Sequence, residues 1–240
     1  MKYLITIQYD GSNFYGFQRQ NNKRTVQNEI EKALTIINKG KVEIKGAGRT
    51  DKGVHAYGQR ACFKLGVNVP TQRLLKALND ILPDDIYINK CKIVNDEFHP
   101  RFDVKEKIYV YKINIGKYNP IWNKYYYQMK YPLDINKLIE ASKLFIGIHH
   151  FNNFVSGERN NYEAIIYDIK LDITKNKIIM TFKGKSFYRY MVRNMVGAML
   201  DVARNKVTLS YVKDMLDNYN EIKELSCAPS EGLYLMNIKY

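Results

Sequence analysis

The chain has 240 residues, 45% of them hydrophobic, which is enough for one large domain or two small ones with a proper core. Lys and Arg number 38 against 24 Asp and Glu, so the formal net charge is +14, too large and too spread out to be a basic tail, and it points to a polyanion partner, most often nucleic acid. Three widely spaced cysteines exclude a disulfide framework and a zinc site, and no apolar run reaches the length of a membrane span.

Residues 2–9 alternate Tyr3, Ile5, Ile7 and Tyr9 against Leu4, Thr6 and Gln8, the pattern of a strand with one apolar face. The chain therefore opens on a strand rather than a signal peptide, and a cytoplasmic location is expected. Asp10-Gly11-Ser12 is a turn signal, and Thr25 is placed to cap a helix carrying Val26, Ile30, Ala33, Leu34 and Ile37. Strands are expected over 42–47, 54–65, 86–93 and 107–115, with a short helix over 71–78. The stretch 116–132, rich in Tyr, Asn and Pro, divides the chain into an N-terminal half, 1–115, and a C-terminal half, 116–240. The second half reads as a helix after Asp134, strands over 164–173 and 177–182, helices over 188–204 and 210–219, and a last strand over 232–240. Strands and helices mix without strict alternation in both halves, which favours an α+β fold with antiparallel sheets.

The segment GAGRTDKGVHA, residues 46–56, holds the chemistry. It follows a strand, but Val54-His55-Ala56-Tyr57 continues as another strand. No helix N-terminus waits for a phosphate, so neither a Walker loop nor a dinucleotide fingerprint applies. An Asp in a glycine-flanked loop is commonly a turn former. Here, however, Arg49 and Lys52 flank Asp51 in a chain whose charge suggests RNA. An anionic side chain repels phosphates, so an acid kept within a basic surface suits nucleophilic or acid–base work on a base or sugar.

GRTDKGVHA resembles the catalytic loop of the tRNA pseudouridine synthase A family. The resemblance continues in order through YDGSNFYGFQRQ (9–20), TVQNEIEKAL (25–34), FHPRFDVKEKIYVY (98–111), SFYRYMVRNMVG (186–197) and CAPSEGLYLMNIKY (227–240), nearly the whole chain. It implies two RRM-like (ferredoxin-like) α+β halves with a catalytic cleft between them. It also implies a homodimer acting on tRNA, with no metal and no organic cofactor. By the same resemblance Asp51 is the catalytic carboxylate, attacking C1′ of the ribose or C6 of the base, or assisting a glycal intermediate. Arg193 is its basic partner, and Tyr109, first of the Tyr109–Tyr111 pair, stacks on the target base. The expected substrate is uridine at positions 38–40 of the anticodon stem-loop, flipped out of its stack. Arg49, His55, Phe14, Gln18, Gln20 and Arg101 are candidate RNA-binding residues, with a structural role open for His55 and Arg101. Two departures stand out: His150 lies where the family commonly has Asp, and Lys124 where Arg is expected. Adjacent His149 and His150 point apart and make a poor metal site. Two alternatives keep the RNA and change the outcome: an RNA-binding protein with a vestigial loop, and an enzyme for another structured RNA.

Overall fold

The alternation at the start of the chain folds as β1 (Lys2–Tyr9), the first of ten strands in the computed structural model, which describes residues 1–218, 224 and 226–240. There follow α1 (Val26–Asn38), β2 (Lys45–Gly46), β3 (His55–Lys64), α2 (Thr71–Ile81), β4 (Ile86–Val94) and β5 (Glu106–Asn114). The rest of the chain supplies β6 (Tyr127–Gln128), α3 (Ile135–Lys143), β7 (Gly147–His150), β8 (Glu163–Ile173) and β9 (Lys177–Gly184), then α4 (Met191–Ala203), α5 (Leu209–Asp217) and β10 (Leu233–Lys239). The last residue of the helix expected over 210–219 lies outside the described residues. No helix among the described residues is long and apolar enough to cross a membrane.

The chain forms two compact units, residues 1–105 with 234–240, and residues 106–233. In the first, β1 lies between β4 and β3, antiparallel to both. The outer edge of β3 is shared. β2 pairs antiparallel at Cys62 and Ala61, and β10 pairs parallel at His55 and Ala56. The order β4-β1-β3-β2, with α1 and α2 as the two crossovers, is the ferredoxin-like plan. Its β2 is far shorter than the sequence suggests, because the Ile44 amide bonds to the Glu31 carboxylate at 3.0 Å instead of to a strand. Thr25 caps α1 by accepting from the Asn28 amide, and Lys39 ends it in the left-handed region (φ 52°). Val26, Ile30, Ala33 and Leu34 form its buried stripe.

The second unit repeats much of that plan. β9 lies between β5 and β8, and β7 adds an outer edge, all pairs antiparallel. Helix α4 is buried almost all round from Met195 to Ala203 and is the unit's central helix. It begins later than the expected 188 because Tyr190 takes a left-handed backbone (φ 63°). Strand β7, absent from the sequence reading, is four residues long with no clear alternation, and Ile148 in it is exposed. Phe145, Phe151 and Phe154 beside it are fully buried and meet ring to ring.

Gly58 marks the tightest point of the β3–β10 pairing, since a Cβ there would sit 2.3 Å from the Met236 carbonyl oxygen. Gly58→Ala should cost about 1–3 kcal/mol, read as a lower midpoint in urea with an unchanged slope.

Candidate active site

The loop between β2 and β3 is fixed on every side by the first unit. At its start the Ala47 amide donates to the Arg60 carbonyl at 2.8 Å. The fully buried Gln59 donates from Nε2 to the Gly48 carbonyl at 3.2 Å. Thr50, 7% exposed, shares a 2.7 Å hydrogen bond with the buried hydroxyl of Tyr9. Burial pushes the Tyr9 phenol well above its ordinary value, so the hydroxyl is neutral in that bond. The Val54 amide then donates to the Asp51 carbonyl at 3.2 Å, closing a four-residue turn. Its third residue, Gly53, has φ 80°, a value that glycine adopts without strain.

Residues 11–17 press on the loop from the other side. The Phe17 amide donates to the Thr50 carbonyl at 3.1 Å, and the Gly53 amide to the Phe14 carbonyl at 3.3 Å. Gly16 (φ 98°) leaves no room for a side chain, because a Cβ would lie 2.6 Å from the Thr50 oxygen. His55 is 3% exposed, stacks on Tyr234 at 4.6 Å, and accepts from the Gly11 amide through Nδ1 at 3.1 Å. The Asp10 carboxylate is 3.2 Å from the same nitrogen and caps the following turn through Ser12. These contacts set His55 beneath the loop as part of its support. Asp51, at the head of the turn, is half-buried, its backbone held by neighbours on both sides.

The other candidates fall into two groups. Arg49 is exposed, as are Gln18, Gln20 and Arg101. Gln20 donates to the Tyr15 carbonyl at 2.7 Å, and the Arg101 guanidinium lies 5.8 Å from the centroid of the exposed Phe102 ring. Phe14 is instead buried, 1% exposed, under the Arg24 guanidinium, which is itself held by both Asp85 oxygens at 2.7 and 2.8 Å.

In the second unit, Tyr109 is 7% exposed on β5, opposite Phe182 and edge-on to Phe187 at 5.1 Å. Its same-face neighbour Tyr111 is fully buried and donates to the Pro229 carbonyl at 2.7 Å. Arg193 lies half-buried in the first turn of α4. Its Nε donates to the Ala228 carbonyl at 2.6 Å, and the Ala228 amide donates to the Arg193 carbonyl at 3.1 Å. Gly197 lets that segment lie against α4, since a Cβ there would overlap the Ser226 oxygen. His150 ends β7 opposite Glu163, and the His149 Nε2 is 3.1 Å from the Ile146 carbonyl.

Sequence reasoning passed over Tyr9, Gly16, Thr50 and Gln59 as supports of the loop. Gln59 carried a usable signal, a polar amide in the middle of an otherwise buried strand.

Comparison with known proteins adds the family. The model described as "tRNA pseudouridine synthase" matches residues 5–103 and 141–240. The tRNA pseudouridine synthase A of Phytoplasma mali is 42% identical, over 99% of this chain and 98% of that one. Those of Anoxybacillus flavithermus (39% identical, 98% and 97%) and Borrelia turicatae (40% identical, 100% and 99%) are similar throughout. The chain belongs to the tRNA pseudouridine synthase family.

Gly16→Ala should displace the loop backbone at Thr50 and Asp51 while leaving the Asp51 carboxylate in place as a chemical group. A misplacement of about 1 Å is expected to lower turnover by about a hundredfold, measured as kcat, with the circular dichroism of the folded protein retained.

Proposed function

We propose that this protein is an isomerase that converts uridine to pseudouridine in tRNA, at positions 38–40 of the anticodon stem-loop, with Asp51 as the nucleophile. The N1–C1′ bond breaks, the base turns, and a C5–C1′ bond forms. A proton leaves C5 and N1 ends protonated, so the reaction is redox-neutral. The observation that carries the reading is the loop itself. A carboxylate sits between two cations on a turn whose backbone is fixed by Thr50, Phe14 and Gly53, within a chain of net charge +14. A preorganised acid costs little reorganisation when the substrate arrives.

Family membership supports tRNA as the substrate, and the resemblance supports the roles. Tyr109 stacks on the flipped uracil, and Arg193 is the basic catalytic residue. Arg49, exposed beside the acid, binds backbone phosphate, as do further cations of the basic surface. The protein acts as a homodimer with each tRNA contacting both subunits.

Tritium release from tRNA labelled at C5 of uridine tests the chemistry. Wild-type protein should release tritium and Asp51→Ala should fall to background while still binding tRNA. Release by both would remove Asp51 from the mechanism, and binding without release by either would leave an RNA-binding protein or another RNA substrate. Sedimentation at micromolar concentration should give twice the monomer mass, and a monomer would overturn the dimer.

A further inference from the structure

Lys23 and Lys52 come from separate segments of the first unit and meet at one ring. Lys23 Nζ lies 4.6 Å and Lys52 Nζ 4.4 Å from the centroid of Tyr15. Both are within cation–π reach of the ring, so the two ammonium groups are no more than about 9 Å apart. Both lysines are exposed, and Tyr15 is 40% exposed. Among the described residues neither lysine has a carboxylate at ion-pair distance.

Three other cations between residues 19 and 32 are paired internally. Arg19 holds Glu31 and Glu43, Arg24 holds Asp85, and Lys32 holds Glu29. Two like charges gathered without an acid repel one another, and the face of one tyrosine offsets only part of that. An external anion would offset the rest. Lysine binds phosphate as a point charge, without the planar fork that arginine offers to carboxylates. Lys52 follows Asp51 directly in the chain, so the ring and its two cations meet the same turn that carries the acid.

We infer that Lys23, Lys52 and Tyr15 form an anchor for an RNA phosphodiester group adjacent to the uridine that Asp51 handles. The inference rests on the reading of this protein as a tRNA pseudouridine synthase acting through Asp51. Tyr15 holds the two ammonium groups together, and the pair fixes the substrate backbone while the base is out of its stack.

The test compares Lys23→Gln/Lys52→Gln with a control, Lys41→Gln/Lys64→Gln. The control removes the same charge from two lysines that already pair with Glu43 and Asp96 at 3.0 Å. Binding of the full chain to unmodified tRNA is measured across a salt series. Each lost phosphate contact lowers the slope of log K against log salt by about 0.7–0.9, so the anchor variant, losing its one phosphate, should lose about that much and the control almost nothing. In tritium release the anchor variant should raise KM roughly tenfold, with a smaller change in kcat. A slope equal to the control's overturns the anchor, as does a kcat loss with KM and slope unchanged. If wild-type protein binds tRNA yet releases no tritium, the catalytic reading fails instead, and the slope comparison still decides whether Lys23 and Lys52 hold phosphate.

Discussion

The buried hydrogen bond between Tyr9 and Thr50 is the point on which the loop's geometry depends. Tyr9 ends β1 and Thr50 precedes Asp51, so one 2.7 Å contact ties the Asp51 loop to the sheet of its unit. Such a bond contributes about 0.5–1.5 kcal/mol net, but leaving either hydroxyl unpaired costs about 1–3 kcal/mol. That asymmetry makes the loop's position effectively single-valued. The Thr50 backbone carbonyl is engaged as well, by Phe17, so side chain and main chain are fixed from opposite directions. Glycines 11 and 16 are the counterpart of this crowding, because two backbones approach where no side chain fits, while Gly53 supplies the positive φ of the turn.

The second unit uses a similar device at Arg193. The guanidinium is oriented by the Ala228 carbonyl, and the same residue returns its amide to the Arg193 carbonyl. Tyr111 fixes the next residue, Pro229, from β5. An arginine at the start of an apolar helix is thereby aimed by backbone rather than left to its own rotamers. Burial raises the Glu231 carboxyl above its ordinary range, with the Arg193 charge acting against that shift. The short stretch 228–231 thus gathers the groups that surround the guanidinium.

The cations of the first unit serve two ends. Its arginines 19 and 24 make internal ion pairs that brace the segment before α1, while Lys23 and Lys52 remain exposed over the Tyr15 ring. The net charge of +14 is therefore not uniform in meaning. Part of it is structural, and part faces outward, where phosphate contacts depend on salt.

The sequence by itself determined the elements with strong periodicity, the α+β class and the family, because alternation, capping at Thr25 and Asp134, and the GRTDKGVHA loop are all local signals. It also singled out Asp51, whose neighbours in the chain announce it. Tertiary structure alone decided which polar residues serve the loop. Gln59, Tyr9 and His55 act through partners 11 to 44 positions away, and no local pattern encodes those pairings. It also decided that β2 would shrink to two residues, since the Glu31 carboxylate takes the amide a longer strand would have used. The same holds for the meeting of Lys23 and Lys52 at Tyr15. Each is an ordinary surface lysine in the sequence, and only the fold brings the two charges to one ring.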